Sequence, residues 1–317
     1  MRQPSTSFDV SEAYASYLLG DPNGGPSCAA IKALTEHIKL SSASTMMGLH
    51  ESLRYAGETL SKRPDAPMSI ASLCELFVRF VTRTSRSKVE ASDFETLKRL
   101  LVERGEQLAK TTLEARSKIA RSGAAFVEAG GTVLTLGFSR VVVALLLDAA
   151  KTKHFSVVVA ESRPEGDGHQ TASQLADAGV PVTVIEDAAV AYAMSRCQMV
   201  LCGSEAVLES GGIINKIGTY QVAIVASACK KPFYVASEST KFARLFPLSQ
   251  ADVPSGGPGS GREHSAFVGR AATLPPNLTA ETHTRDYTPP SYITMLFTDL
   301  GVLTPSAVSD ELIKLFD

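Results

Sequence analysis

Gly130-Gly-Thr-Val-Leu-Thr-Leu-Gly-Phe-Ser-Arg140 is the stretch on which the fold turns. Two glycines interrupt the chain, five largely apolar residues follow, and a glycine and a serine then precede an apolar helical pattern over Arg140–Thr152. A short apolar run bounded by turn residues reads as a buried strand, and a serine ahead of a periodic apolar segment reads as a helix start. The same unit recurs downstream as Phe155–Ala160 with helix Gln170–Asp177, then Val180–Ile185 with helix Asp187–Arg196. Gln198–Cys202, helix Tyr220–Lys230 and Phe233–Ala236 continue it. Strands alternating with helices predict βαβ units and a parallel sheet. No G-x-G-x-x-G follows the first strand, so the dinucleotide fingerprint is absent.

Upstream, residues 1–125 carry helical periodicity without strand alternation and are expected to form an all-helical domain. Helices are predicted over Cys28–His37, Ser44–Leu60 and Ile70–Thr82, with a proline-containing break at Lys62–Pro67. Ser92-Asp-Phe-Glu95 has the form of a capping box opening a long helix to Phe126. Downstream, Pro254–Pro276 is rich in Gly, Pro and Ser and is expected to be a flexible insertion of about residues 254–276. Tyr292–Phe297 reads as a strand and Pro305–Phe316 as a final amphipathic helix.

The chain as a whole narrows the function classes. With 317 residues, 44% hydrophobic and 20% charged, it has room for two domains with real cores. A formal net charge of -2 argues against a nucleic-acid coat. The longest apolar run, Val141–Leu147, is too short to cross a bilayer, and the N-terminus shows no apolar signal segment. Five scattered cysteines without a C-x-x-C pair, and six histidines without H-E-x-x-H, predict reduced thiols, a cytoplasmic setting and no metal site.

The chemistry gathers at the predicted strand ends and in Gly203–Thr219. In an open parallel sheet, ligands bind beyond the carboxyl ends of the strands. Those ends read Gly137-Phe-Ser139-Arg140, Glu161-Ser-Arg163-Pro, Glu186-Asp187 and Gly203-Ser-Glu205. Between the last strand end and the helix that Thr219 is expected to cap lie Gly211-Gly212 and Asn215-Lys216. An arginine, a lysine, an amide and a helix N-terminus suit a phosphate. The other reading of the glycine segment is an ordinary strand-to-helix loop with its lysine in water. Arg79, Arg83, Arg86 and Lys88 also allow two readings. They are either a solvated helix end or a contact surface for an acidic or phosphorylated partner.

Four segments carry a family resemblance. Asn215-Lys-Ile-Gly-Thr-Tyr220, Glu161-Ser-Arg-Pro164, Phe242-Ala-Arg-Leu-Phe-Pro-Leu248 and Asp299-Leu-Gly-Val-Leu-Thr-Pro-Ser-Ala-Val-Ser-Asp-Glu-Leu312 resemble the regulatory subunits of eukaryotic translation initiation factor 2B. The last segment is the most specific and resembles the alpha-type members; the likeness covers about residues 40–317. It implies an all-helical N-terminal domain (1–125) and a Rossmann-like α/β domain (126–317).

It also implies a cytoplasmic homodimer that joins other subunits of a guanine-nucleotide exchange factor and senses the phosphorylated alpha subunit of initiation factor 2. No direct nucleic-acid or membrane contact is implied. The same superfamily includes methylthioribose-1-phosphate and ribose-1,5-bisphosphate isomerases. By resemblance their catalytic cysteine falls at Gly137 and their catalytic aspartate at Glu205, whereas their phosphate and sugar contacts match Arg163, Asn215 and Lys216. The expectation is therefore a regulatory subunit without catalysis, the alternative being an aldose-phosphate isomerase on the same fold. No cofactor is expected. A sugar phosphate or nucleoside monophosphate is the expected ligand, held by Ser139, Arg140, Arg163, Glu205, Asn215 and Lys216, and Arg79, Arg83 and Arg86 are the candidate partner contacts.

Overall fold

The computed structural model describes residues 8–21, 24–63, 66–86, 94–253 and 283–316. By internal packing the chain divides into two compact units, residues 1–114 with 313–317, and residues 115–312. The first is helical and the second carries the sheet.

The helical unit is built from α1 (Val10–Gly20), α2 (Gly25–Leu40), α3 (Met46–Ser61), α4 (Ser69–Arg86) and the first part of α5 (Phe94–Ala124). Side-chain caps fix where two of these helices begin. Asp9 accepts from the Ser11 amide at 2.8 Å to open α1, and Thr45 accepts from the Gly48 amide at 3.2 Å to open α3. Along α4, Ile70, Leu73, Cys74, Phe77 and Val81 are buried, the i, i+3, i+4 spacing of one helical face. They join Leu34, Ile38, Leu49, Leu53 and Leu60 in one apolar core. α1 went unread in the sequence, and α2 and α4 are longer than their periodic stretches. The box beginning at Ser92, Lys88 and the 254–276 insertion lie outside the described residues.

The second unit holds β1 (Thr132–Leu136), α6 (Arg140–Ala150), β2 (Ser156–Ala160), α7 (Gly168–Asp177), β3 (Val182–Ile185), α8 (Val190–Met194) and β4 (Met199–Cys202). β5 (Ala206–Leu208), β6 (Ile213–Lys216), α9 (Thr219–Ala228), β7 (Phe233–Ala236) and β8 (Phe242–Ala243) follow. β9 (Arg285–Thr288), β10 (Met295–Thr298) and β11 (Gly301–Leu303) come next, and α10 (Val308–Phe316), whose residues from 313 on belong to the first unit, closes the described chain. Seven strands form a sheet in the order β11-β10-β7-β4-β1-β2-β3, parallel except for β11. Val133, Val157, Val159 and Leu201 bury their side chains with Val142, Leu145 and Leu146 of α6, which explains why these strands read as near-continuous apolar runs.

One part of the predicted topology is corrected. Gly203–Thr219 is not a loop between strand and helix: it contains β5 and β6, which pair antiparallel and belong to a second sheet ordered β8-β5-β6-β9. Strands of three and four residues are too short to announce themselves by alternation. Their partner β9 enters much later in the chain. The predicted helix Asp187–Arg196 is likewise shorter, a 3-10 turn over Asp187–Ala189 followed by α8.

Candidate functional site

The chain steps outward from β1 to β2 and β3, then returns to lay β4 on the other side of β1. The crevice at such a reversal, beyond the carboxyl ends of β1 and β4, is where ligands enter sheets of this kind. Here both strands end on a glycine that the packing demands. Gly137 has φ +61°, and a Cβ at that position would lie 2.9 Å from Asp167 Oδ1 and 3.0 Å from Ser162 Oγ. A Cβ on Gly203 would lie 2.5 Å from Ser139 Oγ. Ser139 stands at the N-cap of α6, its hydroxyl 3.5 Å from the Val142 amide, and Arg140 begins the helix.

The β2 end is a clamped turn. Ser162 is fully buried at φ +62°, and the Asp187 carboxylate beyond β3 accepts from the amides of Ser162 (2.8 Å) and Arg163 (2.7 Å). The Arg163 guanidinium extends outward, 64% exposed, and donates to Glu161 at 3.0 Å. That hydrogen bond holds the Glu161 carboxyl below its ordinary range.

The second sheet supplies the remaining charges. Lys216 on β6 is in register with Arg285 on β9. The Lys216 ammonium pairs with Asp167, and the Arg285 guanidinium pairs with Glu205. All four side chains are between 18% and 23% exposed, so these pairs are largely withdrawn from water. Asn215 is 9% exposed and donates to the Thr219 hydroxyl at 3.1 Å, which in turn donates to the Lys216 carbonyl at 2.7 Å. Its amide thus braces the turn into α9.

The predicted cap on α9 is also corrected. Gly218, at φ +97°, holds the N-cap position in place of Thr219. The N-terminus is satisfied from outside the helix, by Asp286 on β9. Its carboxylate accepts from the Gly218 amide (2.8 Å) and the Tyr220 amide (3.0 Å). Burial pushes the Asp286 carboxyl up to about 6, against the pull of these backbone donors. The N–H groups read from the sequence as a phosphate seat are therefore bonded to the protein's own carboxylate. Beside them opens a cavity of about 770 Å³ lined by Arg163, Asp187, Tyr220, Gln221, Arg285 and Asp286 among others.

Arg163, Glu205 and Lys216 thus each face a charged partner at the strand ends, while Asn215 and Ser139 serve the turns and caps beneath them. Asp167, Arg285 and Asp286 were not anticipated. Thr284-Arg-Asp-Tyr-Thr288 alternates polar and large residues, which is a strand signal, but nothing local ties it to Glu205 or to α9. Arg79 pairs with Glu75 at 3.1 Å along α4, and the side chains of Arg83 and Arg86 lie outside the described residues. Cys202 lies within β4 with its thiol buried. Among the described residues no helix is long and apolar enough to cross a membrane.

A family model described as the initiation factor 2 subunit family matches residues 22–305. The chain is 47% identical over 294 residues to the translation initiation factor eIF2B subunit alpha of Dictyostelium discoideum, covering 90% of each protein. It is 29% identical over 262 residues to ribose 1,5-bisphosphate isomerase of Archaeoglobus fulgidus, covering 80% of this chain and 77% of that one. A chain in the crystal structure of the tetrameric eIF2B-beta2-delta2 complex from C. thermophilum superposes with a TM-score of 0.75 at 21% identity, over 96% and 95% of the two chains, a likeness of fold.

Proposed function

The chain belongs to the initiation factor 2 subunit family, and on that premise we propose that it is an alpha-type, non-catalytic regulatory subunit of the guanine-nucleotide exchange factor for initiation factor 2. The observation that carries this reading is the 47% identity, over nine tenths of both chains, to a protein named as that factor's alpha subunit. In this reading the chain is cytoplasmic, pairs with a second copy, joins the other subunits and makes exchange responsive to phosphorylated initiation factor 2. Arg79 and its neighbours on α4 are the surface we assign to that contact.

The strand-end site binds a sugar phosphate or a nucleoside monophosphate. Lys216 and Arg163 take the phosphate, Glu205 accepts from ligand hydroxyls, Ser139 and Arg140 form the edge by β1, and Asn215 positions Lys216. Two features support binding without turnover. Gly137 offers no titratable group, and its φ of +61° and neighbours within about 3 Å make any side chain there strained and crowded. The Glu205 carboxylate is paired with the Arg285 guanidinium.

The test is a reconstituted exchange assay with complexes lacking their alpha subunit. Adding this chain is expected to restore inhibition by phosphorylated initiation factor 2. Inhibition that is the same with and without the chain overturns the reading.

A further inference from the structure

Lys216 is the cation on which the phosphate site depends, and in the folded chain its ammonium already faces a carboxylate. Asp167 Oδ2 accepts from Lys216 Nζ across 49 residues of sequence. Asp167 has little else to hold it there. It stands at the N-cap position of α7, where an aspartate ordinarily accepts from the first helical turn, yet its side chain makes no capping bond. Its other oxygen, Oδ1, is buried above Gly137 without a hydrogen-bond partner among the described residues. An aspartate that forgoes its own helix and leaves one oxygen unsatisfied is anchored by Lys216.

We propose that Asp167 is a specificity-determining residue of this site: its carboxylate occupies the position at Lys216 that the anionic group of a phosphorylated ligand takes. Binding is then an exchange of one anion for another. The proposal rests on the phosphate-site reading above and gives that site a threshold. Lys216 and Asp167 are 22% and 23% exposed, so their interaction is only partly screened by water. Two anions brought to one ammonium in such a place repel each other, and the incoming one must outcompete the resident. A phosphate ester carries close to two negative charges near neutral pH against one on Asp167, so the exchange favours phosphate esters and disfavours carboxylate ligands.

The test is titration calorimetry on the full chain, with ribose 5-phosphate and with inorganic phosphate as separate probes. The proteins are the wild type, Asp167→Asn, Asp167→Ala and the double variant Asp167→Asn/Lys216→Met. Removing the resident charge is expected to tighten both probes about fivefold, the equivalent of a partly exposed ion pair. The gain is expected to vanish in the double variant. An aspartate with a merely structural role gives the opposite sign. If the wild type binds and both single variants bind equally or more weakly, the proposal is overturned while the phosphate site stands. Binding by Asp167→Asn where the wild type shows none supports both. Absence of binding in all four proteins overturns the site and the exchange together.

Discussion

In the helical unit the described buried polar side chains are Thr35 and Ser69, whereas the sheet unit buries Ser162, Ser204, Asn215, Thr219, Ser237, Asp286 and several more. Thr35 finds its partner one turn back, donating to the Ile31 carbonyl at 2.7 Å. Several of the sheet unit's groups reach much further along the chain: Ser204 to Ser237 at 2.7 Å, Ser239 to Asp299 at 2.8 Å, and Asp286 to the start of α9. One unit therefore buries few polar side chains among the described residues and packs mainly through the apolar faces of its helices. The other adds long-range polar contacts, several of them at one edge of its main sheet. The pairing of Lys241 with Glu238 at 2.9 Å, beside the Lys241 bond to the Ser204 carbonyl at 3.0 Å, belongs to the same edge.

If that contrast is right, the two units respond differently to substitution and to pH. The largest effect is expected from Leu34→Ala in the helical unit, where Leu34 is fully buried. Truncation there should cost about 3–4 kcal/mol by lost transfer energy and cavity formation. Urea unfolding followed by helical circular dichroism should report that loss equally at pH 5 and pH 7, since no titrating group is involved. A strongly pH-dependent cost would break the contrast.

A somewhat smaller and pH-dependent effect is expected at Asp286. Its carboxyl is raised from 3.8 to about 6 by burial, so the native state binds the proton more tightly than the unfolded chain. The stabilisation from that proton is fully present below the unfolded value and is lost as pH rises through about 6. Relative to Asp286→Asn, the wild type should therefore lose up to about 3 kcal/mol between pH 3.5 and pH 7.5. A stability difference between the two proteins that is flat with pH would remove Asp286 from the account.

How much of this was legible in the sequence follows the same division. The alternation of apolar runs and helical patterns located β1, β2, β4 and β7 within a residue or two, because each strand is buried on both faces. α1 was missed because Val10 and Tyr14 supply its fully buried residues, too few to mark a period. The strand ends gave Arg163 and Glu205 as candidate residues, since polar groups after apolar runs are visible in one dimension, and the glycine segment ahead of a predicted helix gave Lys216. Their partners were not visible. Asp167 meets Lys216 from 49 residues away and Arg285 meets Glu205 from 80, separations that no local spacing encodes. The same distance hid Asp286, which replaces the expected phosphate at the α9 N-terminus from 68 residues away.

In the reading proposed above, the site keeps groups for binding while Gly137 offers no group for reaction. Phosphorus NMR of ribose 1,5-bisphosphate mixed with the purified chain tests both halves at once. The account predicts broadened or shifted phosphorus resonances that sharpen again when Lys216→Met replaces the wild type, with no new species over hours. Conversion of the substrate to an isomerised product at ordinary enzyme rates would contradict it.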